Sequence, residues 1–378
     1  MFRKITFCLW ALVAAGHGAQ AGEFEITGTA GTRLSATEIT RFQSPWALEF
    51  IDASHVLVTT KPGKLWLIGF DGSKTEIANV PKPQVGGQGG LGDVVAHPDF
   101  ASNNLIYLSL VESVDGGRTR GAVVYRARLD QAAPRPRLLD IERIWTQTPK
   151  VRGEGHFSHR IAFGTDGVHK GKLFITSGDR QALDPAQDWQ SALGKVIRLN
   201  ADGSVPADNP FQDKGELAKS FYSIGHRNPL GIAFDAKGRL WSSEMGPRHG
   251  DELNKIEAGR NYGWPIVSEG NHYSGQKIPN HAARPEFAAP KAAWVPSIAP
   301  AGLVLYKGAH FKDWRGDALI AGLKSEALIH VDINGTRAKE SERFEWGKRI
   351  RDVEAAPDGT IWVIEDRNGG RLIRLRLP

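Results

Sequence analysis

The chain has 378 residues, with 48 Lys and Arg against 42 Asp and Glu, a formal net charge of +6 and one cysteine. Its cations are interspersed with acids and form no long basic run, which argues against nucleic-acid binding. With 43 Gly and 21 Pro, an architecture of long helices is disfavoured.

The first element is a leader. Arg3-Lys4 is a short basic start, Ile5 to Ala15 is apolar, and Ala19-Gln20-Ala21 is a small-x-small cleavage site. This predicts a secretory signal peptide over 1–21, too short to span a membrane, and an exported product. Cys8 leaves with it, which excludes disulfides, thiolate metal sites and cysteine nucleophiles. Arg3 and Lys4 leave too, so net charge falls from +6 to +4. Residues 22–378 are expected to form one domain, because no low-complexity linker divides them.

Residues 22–41 precede the first repeated unit and are expected to add an outermost strand to the last, covering an open edge. From there a short pattern recurs six times: an apolar strand, a turn, a second apolar strand. The first strands are Ala47–Phe50, Val94–Ala96, Ile161–Phe163, Ile232–Phe234, Leu303–Leu305 and Val353–Ala355. Their partners are VLVTT, LIYLSL, KLFITSG, RLWSSE, ALIAGL and TIWVIED. Asp71-Gly72, Asp202-Gly203, Asn334-Gly335 and Asp358-Gly359 are hairpin-turn pairs. The predicted fold is all-β, a six-bladed β-propeller of four-stranded antiparallel blades. Three long loops, Val111–Gly121, Arg180–Gln190 and Ser268–Pro290, are expected to shape one mouth of its channel.

Polar residues recur at fixed places in this pattern. Gln88, His156, Arg227 and Arg349 precede first strands; Asp179, Glu244, Lys324 and Asp366 end second strands. In an antiparallel hairpin these two places share an edge, so the set should converge on one mouth. Strands that merely end on charged residues would give the same list. His156 in GEGHFSHR and Asp179 in TSGDR could pair as a general base with its orienting carboxylate. His159 reads as a packing residue. Pro229 forces Asn228 into extended or turn backbone and aims Arg227 and Asn228. The Gly246-Pro247 turn, near Glu244, Asp251 and Glu252, can offer carbonyls to calcium, although it lacks the alternating acids of an EF-hand. Arg227, Lys324, Arg349 and Arg351 together, with few acids among them, call for a ligand bearing several carboxylates or phosphates.

Taken together, these motifs resemble a known family. The chain from about Arg41 to its end is similar to soluble aldose (glucose-type) dehydrogenases dependent on pyrroloquinoline quinone (PQQ). The resemblance rests on GGQGGLGDVVAHPDF, GHFSHR, SGDR, GHRNPLGIAF, SEMGPRHGDELNKIEAGRNYGWP, WVPSIAP, GLKS and RIRDV. It implies His156 as catalytic base with Asp179 beside it, and Gln88, His156, Arg227, Asn228, Lys324, Arg349 and Arg351 around the quinone. Gly246 and Pro247 match the carbonyls that hold the cofactor's calcium. Glu252 and Tyr262 match a second, structural calcium site, where His272 stands in place of an expected carboxylate. Gly155 and His159 also depart from the family pattern.

The implied activity is oxidation of the C1 hydroxyl of an aldose sugar to an aldonolactone. Hydride goes to the quinone, polarised by calcium and Arg227, and electrons leave to an external acceptor such as a quinone, dye or cytochrome. The enzyme would act as a monomer or homodimer. Two other classes stay open on the residues: a calcium-dependent propeller lactonase or hydrolase, and a non-catalytic sugar-binding propeller. The basic axis argues against the first and the full His, Asp, Arg and Lys set against the second.

Overall fold

The computed structural model describes residues 22–335 and 337–378, so the leader lies outside the described residues. Alternating apolar residues bounded by Gly and Asx turns build six antiparallel sheets, five of four strands and one of five. Blade one comprises Pro45–Phe50, His55–Thr60, Lys64–Gly69 and Lys74–Ile77; blade two comprises Leu91–Ala96, Leu105–Glu112, Gly121–Asp130 and Arg137–Thr146. Blade three comprises Ser158–Phe163, Lys172–Ser177, Lys195–Asn200 and Phe221–Ile224; blade four comprises Pro229–Phe234, Leu240–Glu244, Asp251–Ile256 and Ala292–Trp294. Blade five comprises Pro300–Leu305, Ala318–Gly322, Ala327–Asn334 and Arg337–Glu345. Blade six comprises Ile350–Ala355, Ile361–Glu365 and Asn368–Arg376, completed by Arg33–Gln43 and Glu23–Thr27.

The first strand of each blade packs against the first strands of its two neighbours, and blade six meets blade one, so the ring closes. The fold is a six-bladed propeller, as the repeats predict. The N-terminal segment adds two strands to the last blade where one was expected, with Ala36 opposite Leu375 and Phe42 opposite Gly370. The first two described strands therefore share one sheet with the last strand.

The core is divided among the blade interfaces. Tyr107 and Val124 meet Ile161 and Ile197 between blades two and three; Trp241 and Leu253 meet Leu303 and Ile329 between four and five. Leu48 and Val58 meet Trp362 and Ile364 between blades one and six. Each such side chain, fully buried, contributes roughly 1.5–3 kcal/mol, and the period of two that buries these residues sends their neighbours to the opposite face of each sheet.

Two features of the inner strands position the site. All six inner hairpins shift register at the start of the first strand, for example between Pro45 and Ala47 and between Ser158 and Ile161. A bulge there bends the strand and re-aims its side chains at the mouth. Further along the channel, Arg160 closes the axis. Its guanidinium lies 3.0 Å from Asp93 and 3.1 Å from Asp352, donates to the Leu230 carbonyl at 2.9 Å, and covers Trp46 at 4.2 Å. Gly302 makes room for this layer: a Cβ there would lie 1.8 Å from Asp352 Oδ1. The layer separates a mouth lined by the predicted site residues from a second cavity of about 710 Å³ on the opposite side, lined by Glu49, Phe50, Phe163, Phe234, Lys307 and Glu354.

Candidate active site

The strand-edge rule brings the predicted residues together. His156 and Asp179 flank the first hairpin of blade three, and His156 Nδ1 lies 2.7 Å from Asp179 Oδ1. Gly178 permits this approach, since a Cβ there would lie 2.1 Å from the His156 carbonyl oxygen. Gln88 of blade two accepts from the His156 backbone N–H at 2.8 Å, and Asp179 N–H donates to the Arg227 carbonyl of blade four at 2.8 Å. His156, Ser158 and His159 hold φ of +49°, +57° and +57°, an uncommon backbone for non-glycine residues that the surrounding bonds enforce.

Burial pulls the His156 imidazole below the ordinary histidine range; the bond to Asp179 opposes this and the Arg227 charge adds to it. With Nδ1–H directed at Asp179, Nε2 is left to accept a proton. His159 is a different object. It is buried, stacks on Trp46 at 5.0 Å, bonds Ser109 Oγ at 2.7 Å, and is pushed down to about 3 by burial and the adjacent Arg160. It packs, as the sequence suggested.

Arg227 is buried, donates to the Met245 carbonyl at 3.0 Å, and leaves its Nε without a partner among the described residues. Asn228 is fully buried beneath it, accepting from Ser158 Oγ at 3.0 Å, and borders neither lobe of the mouth. Lys324 is exposed at the rim. His156, Arg227, Gly246, Pro247 and Lys324 line one lobe of about 520 Å³; Arg349 and Arg351 line another of about 440 Å³. Gln88, Met245 and Ala299 border both lobes, so they form one mouth. Gln181 and Tyr273, from two of the long loops, stand at its edge.

Asp366, one of the few acids expected at this edge, pairs with Arg349 at 2.8 Å and with Arg351 at 2.9 Å. Burial raises the Asp366 carboxyl, but the two arginines outweigh that and hold it below its usual value. The anion demand therefore rests chiefly on Arg227 and Lys324.

The Gly246-Pro247 turn is held by Asp251, which accepts from Gly246 N–H at 2.9 Å and from Ala299 N–H at 2.7 Å. Among the described residues, no hydrogen bond reaches the Gly246 or Pro247 carbonyl, which leaves both able to bind a cation. No group of three or more His, Cys, Asp or Glu among the described residues is placed to hold a metal. Glu252 and Tyr262 border a separate small cavity behind the turn, together with Glu244. Burial and the Glu244 charge raise the Glu252 carboxyl well above its usual value. The Tyr262 hydroxyl donates to the Lys255 carbonyl at 2.5 Å, and its own carbonyl takes His281 Nε2 at 3.2 Å.

Three residues at the site escaped the sequence reading. Lys61 lines the mouth and donates to the Gly87 carbonyl. It follows the second strand of blade one, so the same strand-edge rule would have found it. Arg180 clamps the loop before His156, donating to the carbonyls of Gly155 at 2.9 Å and Gly153 at 2.7 Å over the Phe157 ring. Trp264 donates its indole N–H to Asp179 Oδ2 at 2.8 Å; nothing in the local sequence announces a bond between residues 85 positions apart.

The family model for Glucose / Sorbosone dehydrogenase matches residues 42–374. An aldose sugar dehydrogenase of Escherichia coli (strain K12) is 37% identical, with 89% of this chain and 90% of that protein aligned. The solved structure of a soluble aldose sugar dehydrogenase from Escherichia coli in its apo-form superposes with a TM-score of 0.84 at 33% identity, covering 91% of this chain and 100% of the other. A PQQ-bound aldose sugar dehydrogenase from Streptomyces coelicolor gives 0.74 at 28% identity, covering 91% and 98%.

Proposed function

Because the chain belongs to the glucose/sorbosone dehydrogenase family and is a sugar-oxidising enzyme of that type, we propose that it oxidises the C1 hydroxyl of aldose sugars to aldonolactones with PQQ and calcium. The observation that carries this is the His156–Asp179 pair in the same mouth as Arg227 and Lys324. The donor set fits the cofactor: Arg227 has a buried N–H without a partner, and Lys324 offers a free ammonium to its carboxylates. Gln88, Arg349 and Arg351 would complete the cradle, and Asn228, which borders neither lobe, would act only through the Ser158 and Met245 side chains that it bonds. The Gly246 and Pro247 carbonyls would hold the calcium. A second calcium at Glu252 and Tyr262 would favour the ionised form of a carboxyl that burial otherwise keeps protonated.

When bound, the quinone supplies the two-electron acceptor. The chain's own part is to place and deprotonate the sugar. His156 Nε2 accepts the proton of the anomeric hydroxyl. Asp179 fixes the tautomer and stabilises the imidazolium that results. Arg227, held by the Met245 carbonyl and by the Trp264 ring 5.2 Å away, sets positive charge where negative charge grows. An external acceptor would be needed to return the reduced quinone to its oxidised form.

The leader over 1–21 supports export to the periplasm. Among the described residues no helix is long and apolar enough to cross a membrane. The test is reconstitution: purified apoprotein given PQQ and calcium should reduce a dye only when an aldose is added, and the product should be the lactone. Dye reduction that is independent of sugar, or lactone hydrolysis without reduction, would overturn the reading.

A further inference from the structure

Asp179 spends its two oxygens on different partners. Oδ1 takes His156 Nδ1 at 2.7 Å and the Gln181 backbone N–H at 2.8 Å. Oδ2 takes the Trp264 indole N–H at 2.8 Å. Asp179 is fully buried and Trp264 is 5% exposed, so these bonds form away from bulk water, where they are strongest. Trp264 is itself fixed on both sides. Its backbone N–H donates to the Gly225 carbonyl at 3.0 Å, and its carbonyl accepts from Gln187 of blade three at 2.7 Å. Its ring lies 5.2 Å from the Arg227 guanidinium.

We propose that Trp264 is a positioning residue for proton abstraction, holding Asp179 so that its Oδ1 faces His156 while its ring supports Arg227. One side chain from blade four thereby sets the base of blade three and the cation beside it. The inference rests on His156 acting as the base.

A carboxylate that shares its charge with an indole N–H has less to offer the imidazole. Removing that N–H leaves more negative charge on the Asp179 oxygen that faces His156 and favours the imidazolium. It also frees the carboxylate to rotate. The groups facing His156 are Asp179, Arg227 and Arg180, and the last two are cations that oppose its protonation.

The test uses Trp264→Phe and, because that variant could lose packing, site-specific replacement of the Trp264 indole by its benzothiophene isostere, which keeps the shape and removes only the donor. His156 is titrated by NMR in the cofactor-free protein, which needs neither quinone nor sugar. Its pKa should rise by about half a unit to one unit in both variants. In an Asp179→Asn background neither change should move it. In the loaded enzyme kcat should fall roughly tenfold, the size of one hydrogen bond to a charged group, and the acid limb of kcat/KM should move up by the same interval. An unchanged His156 titration overturns the proposal. So does an equal shift in both backgrounds, which would mean that water entry, not Asp179, carries the effect. If the protein fails to oxidise sugar yet His156 shifts as stated, the positioning role stands and the substrate reading falls.

Discussion

His156 and His159 lie three residues apart, yet the fold gives them opposite chemistry. One meets a carboxylate at the mouth; the other is stacked on Trp46 beside Arg160. His156→Gln should lower turnover by about 10²–10⁴-fold, the usual contribution of a general base, while quinone binding persists on the cations. His159→Gln should retain turnover but melt earlier, since it loses the stack and leaves Ser109 to find a new partner. Steady-state dye reduction with a quinone titration and a melting curve for each variant separates the two; a dead His159→Gln beside a normal His156→Gln would reverse the roles. The pH sign follows. A base works when neutral, and burial lowers the His156 pKa, so the acid limb of kcat/KM should lie below the ordinary histidine range; a limb above it would contradict the site as described. At this scale much was legible, because a residue's place relative to a strand end is local information. Trp264 was not, because its partner comes from another blade.

The element that carries the site is the inner hairpin, with its bulge and its two polar ends. The alternation that predicts a strand is visible in sequence, whereas the bulge is not: it depends on which residues oppose each other across the hairpin. The same blindness hid Asp366 bridging two arginines of its own blade. That bridge separates two variants that sequence alone treats alike. Lys324 is exposed and has no ion pair among the described residues, so Lys324→Ala should weaken quinone binding by about tenfold, one charge-assisted contact, at little cost in stability. Arg351→Ala also removes a partner of half-buried Asp366, so it should weaken binding and lower the melting temperature together. Absorbance titrations at two salt concentrations, with melting curves, check both. Unchanged affinity in both would remove the anion site. The turn makes a separate claim. Chelation should abolish activity and calcium restore it, whereas Glu244→Gln should do less, because its carboxylate bonds His226 and the Arg227 N–H and is not the proposed ligand. Full activity in metal-free protein would remove calcium from the mechanism.

On the scale of the whole ring, the sequence shows six units but not what closes them. Closure comes from the N-terminal strands pairing with the last, and from Arg160 reaching Asp93 and Asp352, 67 and 192 positions away. The same closure leaves two half-buried carboxyls, Glu49 and Glu354, on the wall of the cavity below the Arg160 layer. Burial raises Glu354 from 4.5 to about 8, with Asp352 and Asp93 adding to the effect and Lys307 opposing it. Burial and the Glu354 charge raise Glu49 too. The linkage has a definite sign. An unfolded Glu354 releases its proton near 4.5, whereas the folded one keeps it until about 8. Between those values the folded chain binds the extra proton, so raising the pH costs it stability. Other groups pull the other way: Lys195 is lowered from 10.5 to about 7 by burial, and buried histidines such as His159 charge more readily once unfolded. Comparison with Glu354→Gln isolates the one carboxyl, because Gln resembles the protonated acid. The two proteins should melt within a few degrees of each other near pH 5. The variant should then gain on the native chain steadily to pH 8 and no further above it. Melting curves from pH 5 to 9 in the absence of cofactor measure this. A difference that is flat across that range, or that favours the native chain as pH rises, would mean that water in the cavity reaches Glu354 freely and that burial does not raise its pKa.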